Sequence, residues 1–125
     1  DHASAYYLSQ GVLNETLKDS KAAEADYRKA IELDAKQAQA YLNLGRLLAE
    51  KYDALDQETG NMPQAEYNKY NFEVLTPLLK ESAENFEKAY QCNEELRDAL
   101  QYLKNIYYRL NDSANLKRVE DLLKY

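Results

Sequence analysis

Ala38-Gln39-Ala40-Tyr41-Leu42-Asn43-Leu44-Gly45-Arg46-Leu47-Leu48 decides how this chain folds. Gly45 follows Tyr41 by four positions. Thirty-four residues earlier, Gly11 follows Tyr7 by the same four. Behind Gly11 come Ala23, Tyr27 and the phrase Ala30-Ile31-Glu32-Leu33-Asp34. A related phrase returns as Phe86-Glu87-Lys88-Ala89-Tyr90-Gln91-Cys92-Asn93. A glycine inside a helix costs ~1 kcal/mol against alanine, so two at equivalent positions signal a packing requirement.

The residues between these marks favour helix. Leu and Ala are abundant, and Val, Ile and Thr together number only eight, so the chain reads as all-α. Ala23, Tyr27, Ala30 and Leu33 fall at spacings of four, three and three, one apolar helical face. Asp19 or Ser20 is placed to cap that helix. The spacing predicts helices over Ala3–Leu17, Lys21–Asp34, Gln37–Thr59, Gln64–Cys92, Leu96–Leu110 and Ser113–Lys124, with a break or bend near Pro77. Thr76-Pro77 reads as a helix start with a Thr cap, and a helix running through it would kink at Pro77.

The second repeat closes late. Tyr27 to Phe86 is 59 positions, as is Ala30 to Ala89, so about twenty-five residues are inserted near 51–76. Leu48, Tyr52 and Leu55 continue the apolar stripe outward. After the turn signal Gly60-Asn61-Met62-Pro63, Tyr67, Tyr70 and Val74 carry it back. The insertion therefore reads as two helical arms of one lengthened hairpin. The shifted register persists: Tyr41 maps to Leu100, Leu44 to Leu103, Gly45 to Lys104 and Leu48 to Tyr107.

A period of 34 with these residues resembles the tetratricopeptide repeat family. The resemblance is carried by Tyr41–Leu48, Tyr27–Ala35 and Phe86–Asn93, and it covers nearly the whole chain. Lys104 and Glu94 depart from the family pattern, where a small residue and often Pro stand. The resemblance implies an all-α, right-handed superhelical array of about three helical hairpins in one domain, 1–125. Repeat one spans 4–37, repeat two 38–94 and repeat three 97–125. It implies a non-catalytic scaffold that binds a protein or peptide. The alternative is a structural or self-associating module of a larger protein. Ala-Tyr-Gln-Cys-Asn at 89–93 and the phrase at 103–110 resemble bacterial members, often exported ones, which points to a periplasmic or cell-envelope setting.

The net charge is −6. Residues 1–48 hold six basic and seven acidic groups, residues 49–95 four and eleven, and residues 96–125 six and four. Without a basic stripe, nucleic acid is not an expected partner, nor is an anionic membrane surface. No apolar run approaches the ~18–20 residues that span a bilayer. The chain opens on Asp1, and whether it is a piece of a longer protein is left open.

Catalytic and metal chemistry find little support. The single histidine, His2, lies at the terminus, and the three glycines form no phosphate-cradling loop. No cofactor is expected. Cys92 maps onto Leu33 and is read as a small buried core residue.

The resemblance implies that the first helix of each repeat lines a concave groove. By register that surface offers Leu8 and Val12, then Asn43 and Arg46, then Tyr102, Asn105, Tyr108 and Arg109. Amides bond a peptide backbone in both directions, and Tyr gives contact area at low entropic cost. Arg46 and Arg109 are expected to form a local positive site favouring an acidic or carbonyl-rich segment. Family members that clamp a terminal carboxylate use Lys, Arg and amide side chains at the positions held here by Leu8, Val12, Asn43, Asp98 and Tyr102. Only Asn43 fits and Asp98 would repel a carboxylate, which argues against this subclass.

Overall fold

The computed structural model describes residues 2–125, which form helices joined by short turns, with no strand among them. Helix α1 is Ala3–Thr16, α2 Ser20–Leu33, α3 Ala38–Gln57, α4 Gln64–Tyr70, α5 Thr76–Cys92, α6 Asp98–Arg109 and α7 Ser113–Leu123. Neighbours in sequence pack as antiparallel pairs: α1 on α2, α3 on α5 and α6 on α7. Helix α3 also leans on α2, and α6 on α5.

Helices α1 and α6 stop by the same device. Lys18 (φ 64°) and Asn111 (φ 56°) take left-handed backbone one residue past the helix cap. The next amides, Asp19 N–H and Asp112 N–H, then reach back to the carbonyls of Asn14 and Tyr107 at 2.8 and 3.0 Å. This closure satisfies carbonyls that a helix end leaves open. Each aspartate then caps the following helix. Asp19 accepts from Ala22 N–H at 3.1 Å, and Asp112 from Asn115 N–H at 3.2 Å.

In α3 the corresponding positions are Tyr52 and Asp53. Tyr52 packs against the buried residues that include Leu79 and Leu103 instead of turning the chain. The helix therefore runs on to Gln57, giving 20 residues against 14 in α1. At 1.5 Å per residue the excess is roughly 9 Å of added length. The chain returns through α4, and the Tyr67 hydroxyl lies 3.5 Å from Asp56 Oδ1 across the two arms.

The return helix does not break at Pro77. A π turn, Asn71–Leu75, precedes it, with Thr76 N–H donating to Asn71 C=O five residues back. Proline cannot donate, and its ring presses on the carbonyl four residues earlier. One widened turn just upstream relieves both problems while the helix continues. Thr76 is thus no cap. The extra residue also rotates the apolar stripe: Leu75, not Val74, is buried, and Phe72 stands 80% exposed.

The core consists of two clusters. Ala23, Tyr27, Leu44, Leu47 and Leu48 join α2 to α3, with Leu8, Ile31 and Leu78 against them. Leu79, Ala83, Phe86, Leu100, Leu103, Ile106 and Val119 join α5, α6 and α7. Each of the repeated glycines lies under an aromatic ring. A Cβ on Gly11 would sit 2.5 Å from Tyr27 Cε1, and one on Gly45 would sit 3.1 Å from three carbons of Phe86. Both rings are fully buried. Ser82 adds a bond across the second contact, its hydroxyl donating to Gly45 C=O at 2.7 Å.

Cys92 is not a core residue. It is exposed, and its counterpart Leu33 is 41% exposed. The buried stripe ends one turn earlier, at Ala30 and Ala89. Cys92 and Leu33 are the last residues of their helices, and the Cys92 thiol reaches Ala35 C=O at 3.9 Å.

The glycine contacts predict an inverted helix-propensity result. Gly11→Ala should lower stability by ~1–3 kcal/mol in chemical denaturation, although alanine is the better helix former by ~1 kcal/mol. Gly45→Leu should cost at least as much. A Gly11→Ala variant as stable as the parent contradicts the close approach.

Candidate functional site

Two hollows open along α1, α3 and α6. One, of about 610 Å³, lies between α1 and α3 and is lined by Leu8, Val12, Glu15, Gln39, Asn43 and Arg46. The other, of about 520 Å³, lies between α3 and α6 over Leu79, lined by Arg46, Glu50, Asp53, Gln101, Tyr102, Asn105 and Arg109. Arg46 borders both. Seven of the eight residues expected at a groove therefore line one hollow or the other. Tyr108 lines neither; it projects from α6 with 73% of its surface exposed.

Asn43 is nearly buried, and its Oδ1 accepts from Gln39 Nε2 at 2.9 Å. Leu8 is half-buried and packs on the first core cluster. Tyr102 stacks on Phe86, with ring centroids 4.5 Å apart and planes 6° from parallel. One face of Tyr102 is thereby fixed against the ring that covers Gly45, while the residue stays partly open to the hollow. Gln101 and Asn105 are exposed, and their side chains make no hydrogen bond to other described residues. Their amide capacity remains for a ligand.

The arginines are spent within the chain. Arg46 donates to both oxygens of Glu15 at 2.8 Å each and to Glu50 at 3.2 Å. Arg109 donates to Asp53 at 2.8 Å, and its guanidinium carbon lies 5.6 Å from the centre of the Tyr52 ring. The expected local positive site is therefore absent from these two side chains. The larger sequence separation hid the pairing, yet it has a rule. Glu15 and Arg46 are 31 apart, three short of one repeat, and Asp53 and Arg109 are 56 apart, three short of the lengthened one. Opposite charges on neighbouring first helices, one turn out of register, would have revealed both pairs.

Glu15 links the groove to the core. It receives Arg46 on the groove side and the Tyr27 hydroxyl from the core side. The hydrogen bonds from Arg46 hold its carboxyl below the ordinary range, against the opposing pull of burial. Burial, and then the bond to Glu15, push the Tyr27 phenol well above its ordinary value. Both oxygens of Glu15 are committed, so this carboxylate positions rather than binds.

No family model matches the chain, and no curated protein matches it. Among solved structures, it is similar to PilF of Pseudomonas aeruginosa, at 21% identity and a TM-score of 0.37, over 96% of this chain and 59% of that one. It is also similar to the MamA protein, at 17% identity and a TM-score of 0.37, over 97% of this chain and 71% of that one. The chain thus spans about three fifths of the PilF chain it matches. Such low scores add no functional argument. The paired helices, the glycine under an aromatic ring in two hairpins and the 34-residue register define a tetratricopeptide-like, all-helical repeat array. No helix among the described residues is long and apolar enough to cross a membrane.

Glu15 makes stability depend on pH. Its folded pKa is depressed, so its contribution is fully present above the ordinary carboxylate value and is lost as pH falls through the folded value. Glu15→Gln should cost ~1–2 kcal/mol at pH 7, since a charge-assisted pair is removed from a partly buried site. Its penalty should shrink in acid titrations carried below about pH 4. A constant penalty from pH 7 to pH 3 contradicts the ion-pair account.

Proposed function

We propose that the chain is a non-catalytic scaffold whose groove between α3 and α6 holds an extended segment of another protein. The observation that carries this is the unspent hydrogen-bonding capacity of Gln101 and Asn105 beside the fixed, partly open Tyr102 ring. Their spacing of four puts the two amides on one face of α6. An extended backbone alternates N–H and C=O groups, and an amide side chain answers both. Tyr102 offers apolar area whose ordering cost is already met by its stack on Phe86.

The charge balance narrows the ligand. Two arginines line this hollow, with Glu50, Asp53 and Asp98 beside them. Since both arginines already hold acids, a free carboxylate gains little there. A neutral, carbonyl-rich segment suits the site better. The hollow between α1 and α3 extends the same track past Arg46 to Leu8 and Val12, where an apolar side chain would sit.

The test begins with a partner recovered on the immobilised protein and mapped to a peptide. Calorimetry with Tyr102→Ala, Asn105→Ala should then show affinity reduced about tenfold or more, with helicity unchanged by circular dichroism. Unchanged affinity moves the site off this groove. Loss of binding on trimming residues 54–67 instead places it on the lengthened hairpin.

A further inference from the structure

The outward face of α1 is uncovered, and the rest of the chain shows what such a face does. In α3, Ala40, Leu44 and Leu47 are buried, and the two leucines join the cluster built on Ala23 and Tyr27 of α2. In α6, the register-equivalent Ala99, Leu103 and Ile106 are buried in the cluster shared with α5. In α1 the same positions are Tyr6, Gln10 and Leu13. Tyr6 is 62% exposed and Leu13 57%, and Leu17, one turn on, is 66% exposed.

The spacing on this face is specific. Tyr6, Gln10, Leu13 and Leu17 step by four, three and four, the seam of a two-helix pairing. The face is also free of charge. From Ala3 to Asn14 there is no Asp, Glu, Lys or Arg, in a chain of net charge −6. Asp26 of α2 is 7% exposed and receives Gln10 Nε2 at 2.9 Å and Asn14 Nδ2 at 2.6 Å, and Glu15, farther along α1, is held by Arg46 at 2.8 Å.

We propose that α1 pairs with α1 of a second copy, antiparallel about a two-fold axis. Tyr6 then faces Leu17 of the second copy, and Gln10 faces its Leu13. The seam is self-complementary in that direction, because apolar positions meet apolar ones at both ends and the glutamines stay near the centre. It is also a surface across which two anionic bodies meet without opposing carboxylates. Head-to-tail stacking is disfavoured. The far end of the array is α7, whose Lys117, Arg118, Glu120 and Lys124 are exposed and would be buried against Tyr6 and Leu13. A single helix pair buries less than the ~1,200–2,000 Å² of a standard interface, so the dimer is weak and concentration-dependent. This inference is independent of the groove, which α1 reaches from its other side.

Sedimentation equilibrium of the purified chain tests it. Between about 10 µM and about 1 mM the mass should climb from 14.5 kDa toward twice that value. Raising NaCl from about 50 to about 500 mM should strengthen association, because salt screens the repulsion and the seam holds no ion pair. Leu13→Glu should weaken association about tenfold or more, through an unpaired charge in the seam. Should that variant lose helicity, Tyr6→Gln, Leu17→Gln serves in its place. Phe72→Glu, on the exposed π turn, should dimerise like the parent. A chain monomeric at the highest concentration overturns the proposal and leaves α1 to a helix from another source. So does association that weakens with salt, or that survives Leu13→Glu and is lost with Phe72→Glu.

Discussion

The contact between a glycine and an aromatic ring one helix away organises the rest of the molecule. Gly11 lies under Tyr27 at a distance no Cβ could share without displacing the ring, and Gly45 lies under Phe86 at one where the ring would have to give by a few tenths of an ångström. Close approach of the paired helices follows from that missing carbon. Dense packing in turn rewards the contact, since each buried ring touches atoms on all sides. The rings then act at a distance from the glycines. Tyr27 passes its hydroxyl to Glu15, which orders Arg46 between the two hollows. Phe86 carries Tyr102 on its far face. The groove is therefore an outgrowth of the core contact, and its side chains inherit their positions from it.

The lengthened hairpin shows how little it takes to redirect a repeat. Lys18 and Asn111 turn the chain and the following aspartates cap the next helix. Tyr52 stands at the same position, stays helical and packs inward. Its neighbour Asp53, relieved of capping, takes Arg109 instead. One register position thus sets both the length of the hairpin and a charge pair in the groove wall. The cost appears on the return path, where the π turn absorbs Pro77 and leaves Phe72 in water.

The fold was legible because its rule is local and periodic. Tyr7, Gly11, Tyr41 and Gly45 repeat at a fixed distance, and the helix ends fall within a few residues of the expected ones. Asp19 capped as its residue type predicts. What failed to show in the sequence depended on three-dimensional neighbours. Nothing local says that Cys92 stays exposed, or that a π turn would rotate Val74 outward. The groove was legible as a set of positions, since register alone brings Arg46, Tyr102, Asn105 and Arg109 to one side. Its electrostatics were legible only in the Arg46–Glu50 pair, four apart on α3, because Arg46 finds Glu15 and Arg109 finds Asp53 on a different helix.

The central claim is that the ring, not the helix backbone, forbids a side chain at the repeated glycine. A double-mutant cycle with Gly45→Ala and Phe86→Leu measures this directly. The account predicts that Gly45→Ala destabilises the parent but costs much less, or stabilises, once Phe86 is leucine, with a coupling energy of about 1 kcal/mol or more. Additive effects, with the alanine equally costly in both backgrounds, would contradict it.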